Sequence, residues 1–124
     1  MSNKKVNLEN SFSTIENYFS PKIIGQVNNE FVKIAKIKGE DIPWHNHESE
    51  DELFLILHGS LLMEIENEPS FTMNTGDMYI VKKGVNHRVS STEECKVMLI
   101  ESKTTKHTGK VVSKVTKSLE EQSY

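Results

Sequence analysis

The residues best equipped for chemistry stand in Trp44-His45-Asn46-His47 and in the acidic stretch that follows, Glu48-Ser49-Glu50-Asp51-Glu52. In an extended segment residues i and i+2 point the same way, so His45 and His47 would offer both imidazoles to one side; on a helix they would diverge by about 200°. Pro43 disfavours the helix by constraining its neighbours. Two convergent imidazoles repel each other when protonated, and a bound cation removes that repulsion while using both lone pairs. Glu52 lies five residues after His47, the wrong parity for a regular strand. The polar insert over 48–51 permits a loop or bulge that resets the facing. Glu52 would then point inward with Phe54, Ile56 and His58, and Asp51 outward with Leu53, Leu55 and Leu57. Both sets are apolar, so alternation leaves Glu52 and Asp51 open as the inward carboxylate.

Other reactive side chains read more plainly. Cys95 precedes an apolar run and is expected as a buried or rim thiol; Met63, Met73, Met78 and Met98 fall at strand positions and read as core fillers. Glu48, Glu50 and Asp51 read as a solvated loop, and Trp44 either shapes a pocket or merely lines its mouth. His58 and His107 have no partner that the sequence reveals.

The elements that must position these residues are short strands. Leu8, Phe12, Ile15 and Phe19 recur at helical spacing and predict a short N-terminal helix, capped by Asn7 and ended by Pro21. From Lys22 the pattern changes to strands over 23–27, 31–37, 53–57, 61–65, 71–73, 78–81, 87–89 and 97–100, with turn residues such as Asn28-Asn29, Gly59-Ser60, Asn74-Thr-Gly76 and Lys83-Gly84 between them. Turn signals every few residues indicate an antiparallel sandwich or barrel. The division expected is an N-terminal extension with a short helix over 1–21, a barrel over 22–102 and a basic tail over 103–124. The tail lysines, Lys103, Lys106, Lys110, Lys114 and Lys117, read as solubilising charges, with an anion-binding face as the alternative.

With 124 residues, 35% hydrophobic and 27% charged, the chain has the size and composition of one globular domain. No apolar run is long enough for a membrane span, and the first residues lack the apolar core of a secretory signal. A single cysteine excludes an internal disulfide, so a cytoplasmic protein is expected. The net charge of −3 argues against a nucleic-acid binder.

Two spaced motifs carry a family resemblance. The first is Gly39, five residues, His45-x-His47, four residues, Glu52, six residues, Gly59; the second is Gly76, five residues, Lys82-x-Gly84, two residues, His87, three residues, Ser91. Together they resemble the cupin superfamily, most closely its small single-domain members, some labelled phosphomannose-isomerase-like by distant similarity. Lys82 stands where the second motif has proline, and Ser91 where it has asparagine. The resemblance implies an all-β double-stranded β-helix, or jelly-roll barrel. It further implies that His45, His47, Glu52 and His87 hold one divalent transition-metal ion. Three imidazoles and a carboxylate suit Fe, Mn, Zn, Ni or Cu better than Ca or Mg.

On this reading the protein is a mononuclear metal-binding cupin acting on a small, anionic or oxygen-rich molecule at the barrel mouth. The enzymatic options are oxygen-dependent oxidation, or isomerisation or hydrolysis by a Lewis-acid ion. The alternative is a non-catalytic sensor or carrier that grips its ligand through the metal. A homodimer is expected, because Leu53-Phe54-Leu55-Ile56-Leu57 is apolar on both faces while a barrel wall has one inner face.

Overall fold

The structure is a computed structural model that describes residues 4–104 and Gln122. Over residues 4–104 it has one short helix, α1 (Leu8–Ser13), and seven strands: β1 (Lys22–Val27), β2 (Glu30–Gly39), β3 (Glu52–His58), β4 (Ser60–Ile65), β5 (Phe71–Asn74), β6 (Met78–Val81) and β7 (His87–Ser102). All pairings are antiparallel. One sheet runs β1-β2-β7-β3-β6, and β4 pairs with β5 and with β7 to make the other. The result is the expected jelly-roll barrel.

The two sheets share one strand. Residues 87–90 of β7 pair with β4, and residues 95–102 lie between β2 and β3. The sequence pattern predicts two strands here, broken by the polar run over 90–94; the structure has one strand of 16 residues that crosses from sheet to sheet. Polar side chains at the crossing are no break, because the backbone keeps pairing, with Gly39 opposite Ser91. The Ser91 hydroxyl donates to the Ser60 carbonyl at 2.7 Å and ties the crossing to the start of β4.

The barrel interior is the main core, and Ile37, Phe54, Ile56, Leu61, Met63, Met73, Val81, Val89, Val97 and Leu99 fill it. Met63 and Met73 are core residues as expected, whereas Met78 is exposed on the outside of β6. The inward positions of β3 are Glu52, Phe54 and Ile56; the outward ones are the half-buried Leu53, Leu55 and Leu57.

The N-terminal segment differs from its sequence pattern. Asn7 caps α1, its side chain accepting from the Asn10 amide at 2.9 Å, but the helix stops at Ser13, well before Pro21. Serine and threonine end it: Ser13 and Thr14 hydroxyls bond back to the Asn10 and Ser11 carbonyls, offering the backbone an alternative to further helix. The apolar stripe nevertheless stays buried. Phe12 and Ile15 pack on Ile34 and Leu57 outside the barrel, while Phe19 turns into the main core. The tail residues Lys106, His107, Lys110, Lys114 and Lys117 lie outside the described residues.

Candidate metal centre

Three segments bring the four motif residues together. His45 and His47 lie on the irregular connection between β2 and β3, which touches the sheet through one isolated bridge, His45 to His87. Reciprocal backbone bonds fix that bridge, His45 N to His87 O at 3.1 Å and His87 N to His45 O at 2.9 Å. The Gly84 amide donates to the His47 carbonyl at 2.8 Å, so the turn that leads into His87 also anchors His47. Gly84 can make that approach at φ 79°. Lys82 occupies the motif's proline position, and its carbonyl accepts from Val85 N, which closes the turn without a ring.

The structure also settles the choice between carboxylates. Glu52 is the first residue of β3, buried and inward, whereas Asp51 is exposed and its Oδ1 accepts from the Lys83 amide at 2.9 Å. The connection over 40–51 is loop, so strand parity from His47 does not carry through it. Each of His45, His47, Glu52 and His87 is buried, and their ligand atoms all lie within 4.8 Å of one another. His45 and His87 ring centroids are 4.4 Å apart, and Glu52 Oε1 lies 3.4 Å from both His47 Nε2 and His87 Nε2.

Proton positions follow from the outer contacts. Nδ1 of His45 faces the Pro43 carbonyl at 2.9 Å and Nδ1 of His87 faces the Val85 carbonyl at 3.0 Å, so each Nδ1 carries the hydrogen and each Nε2 keeps its lone pair. Burial, then the neighbouring His87, lowers the His45 pKa to about 4, which keeps it neutral at ordinary pH. Burial pushes Glu52 up, but its contacts with His47, His87 and Glu101 outweigh that and hold it well below the usual carboxylate range. Four buried atoms here find no hydrogen-bond partner: both ring nitrogens of His47, His87 Nε2 and Glu52 Oε1. An orphaned buried polar atom costs roughly 1–3 kcal/mol, so several in one place need a common partner. A single divalent transition-metal ion fits this donor set.

The remaining expectations resolve individually. Trp44 is exposed on the outside, its ring under Arg88 at 4.9 Å, and does not shape the cluster. His58, expected inward after Ile56, is exposed at the end of β3, where the register shifts. Phe54 sits edge-on to His87 at 6.2 Å and forms an apolar wall. Cys95 is fully buried, and burial pushes its thiol up to about 11. An alkylating agent at pH 8 is therefore expected to label Cys95 only after denaturation, as read by intact mass.

Sequence reasoning missed a second buried group. Lys33 of β2 and Glu101 of β7 form an ion pair at 2.6 Å with 0% and 3% side-chain exposure. The same alternation that aims Ala35 and Ile37 inward aims Lys33 inward, and Cys95, Val97 and Leu99 lead in steps of two to Glu101. Reading those periods across the polar residues would have found both.

Comparison with known proteins agrees with the geometry. Residues 35–101 match the family described as Cupin domain. A curated relative, the uncharacterized protein YdbB of Bacillus subtilis strain 168, is 35% identical over 68 residues, 55% of this chain, which spans 59% of that protein's length. Among solved structures, a cupin-2 domain containing protein from Shewanella frigidimarina is 35% identical with a TM-score of 0.75, over 79% of this chain and 94% of that one. Protein NMB1881 from Neisseria meningitidis is 28% identical with a TM-score of 0.73, over 80% and 99%. By its motifs, its barrel and this match over more than half its length, the chain belongs to the cupin domain family.

Proposed function

We propose that this protein is a mononuclear metal cupin that acts on a small, anionic or oxygen-rich molecule at its barrel. The observation that carries the proposal is the convergence of unpartnered buried atoms on His47, His87 and Glu52 beside His45. The ion, Fe, Mn, Zn or Ni among the candidates, would supply Lewis acidity or, as iron, redox chemistry with oxygen. The protein's own contribution is to fix the donors: the Pro43 and Val85 carbonyls hold two imidazoles in the metal-binding tautomer. Phe54, Ile56 and Val89 exclude water from that side.

Charge defines the ligand class. A divalent ion with one carboxylate and three neutral imidazoles leaves about +1 in a poorly screened site. The neighbouring Lys33 is paired with Glu101 at 2.6 Å. Such a centre favours a carboxylate, an enolate or vicinal oxygens, and a small barrel has room for roughly one compact ligand. In the Co-substituted protein, small carboxylates are expected to change the visible spectrum and amines to leave it unchanged; the reverse pattern would reject the charge argument.

Metal-dependent ligand binding without turnover is the second reading. It is favoured by the state of the titratable side chains nearest the cluster, since Lys33 and Glu101 are tied to each other. The lone buried thiol suits a reducing compartment such as the cytoplasm.

A homodimer completes the proposal. α1 covers Leu57, but the outer face beyond it carries Leu53 against Ile80 and Ile100, and Leu55 against Met78 and Met98. Met78 is 58% exposed. A contiguous apolar patch of this kind favours pairing with a second copy. Light scattering at micromolar concentration should give twice the chain mass, and a monomeric mass would reject it.

A further inference from the structure

A line of buried polar groups runs from Lys33 of β2 to the metal-ligand cluster. Lys33 Nζ contacts Glu101 Oε1 at 2.6 Å and also donates to Gln122 Oε1. Glu101 stands directly beside Glu52 in the pairing of β7 with β3, and both side chains are buried. Glu101 Oε2 finds no donor from a partner residue. Glu101 is not among the residues whose ligand atoms gather within 4.8 Å, so it stands one layer behind them.

Core packing does not account for this arrangement. Replacing a buried ion pair with apolar side chains of similar volume is often neutral or stabilising, so a barrel wall gains little from one. Position is what the pair supplies. Oε1 of Glu52 is aimed at His47 and His87, and Glu101 is its buried neighbour on the adjoining strand. Lys33 holds Glu101 in place at 2.6 Å, beside Glu52 and away from water.

We propose that Glu101 and Lys33 are positioning residues for the metal centre, fixing the orientation of the Glu52 carboxylate and thereby the affinity and coordination of the ion. This rests on the metal reading of His45, His47, Glu52 and His87. Neither residue is a ligand, and neither is asked to transfer a proton.

The test uses the metal-stripped full chain titrated with Co2+ alone, reading affinity by chelator competition and coordination by the visible spectrum. The double variant Lys33→Met with Glu101→Met replaces the pair by an apolar one that a core tolerates. It should fold, by circular dichroism, yet bind Co2+ roughly 10- to 100-fold more weakly with an altered spectrum. Glu101→Gln keeps the shape, an acceptor for Lys33 and a polar contact for Glu52, and should stay within about threefold of wild type. Ile15→Val, a buried change in the cluster outside the barrel, should lower the melting temperature and leave Co2+ binding unmoved. Wild-type affinity and spectrum in the double variant would overturn the proposal and leave the pair purely structural. A loss in Glu101→Gln as large as in the double variant would also overturn it. Absence of Co2+ binding by wild type would overturn the metal reading itself, and this inference with it.

Discussion

His47→Ala is expected to abolish stoichiometric metal while leaving a folded barrel. Four-ligand structural zinc sites bind with roughly 10–16 kcal/mol, an average near 3 kcal/mol per ligand, so losing one lowers affinity by about a hundredfold or more. The fold should tolerate the change because His47 contributes no hydrogen bond from its ring: both nitrogens are buried and unpartnered. Removing them relieves a desolvation cost that offsets the small void left behind. His58→Ala, at the exposed end of β3, should change neither metal content nor stability. Elemental analysis of protein prepared without nickel affinity purification, beside a thermal melt, checks both. Full metal content in His47→Ala would show that the cluster is not the ion's site.

Much of the fold was legible because strands announce themselves locally. Asn28 at φ 52° makes the β1–β2 turn that Asn28-Asn29 suggests, and the runs 53–57, 61–65 and 78–81 each became a strand with little change at the ends. What was not legible depends on partners distant in sequence. The stretch 90–94 is polar enough to read as a loop, yet it stays extended because β7 is held on both sides of the crossing, by β4 before it and by β2 and β3 after it. The helix ended early for a local reason, the hydroxyls of Ser13 and Thr14, whose preference for bonding back the apolar spacing could not reveal.

The cluster divides in the same way. The alternation of His45 and His47 put two imidazoles on one side, and spacing left Glu52 and Asp51 undecided, because an irregular connection carries no parity. The family motif named Glu52 and His87; the structure shows how they meet, through the His45–His87 bridge and the inward start of β3. Lys33 and Glu101 escaped notice because a charged residue in an apolar strand is ordinarily taken for its solvent face, although the alternation of β2 and β7 aims both inward.

The same crossing makes Gly59 the position where the fold should be most fragile. Gly59 joins β3 to β4 at φ 84°, a conformation that costs an L side chain roughly 1–3 kcal/mol. A Cβ there would also lie 2.7 Å from the Glu94 carbonyl oxygen and 3.3 Å from the Cys95 Cα, both backbone atoms of β7 that cannot rotate aside. Gly76 has nearly the same backbone, φ 92°, but nothing within 4 Å of its Cβ position. Gly76→Ala therefore isolates the conformational cost, and Gly59→Ala adds a steric one. We expect Gly76→Ala to lose about 1 kcal/mol and Gly59→Ala about 3 kcal/mol or more, measured by urea unfolding of the metal-free protein. β7 carries His87 a few residues before the clash, so displacing the strand at Glu94 loosens the centre as well as the barrel. An ion that binds only the folded state adds about 2.7 kcal/mol at a hundred times its dissociation constant. Added metal should thus raise the unfolding midpoint of Gly76→Ala as much as that of wild type, and that of Gly59→Ala by less. Equal losses in the two variants would show that β7 gives way at Glu94 and that the crossing is not the rigid joint described.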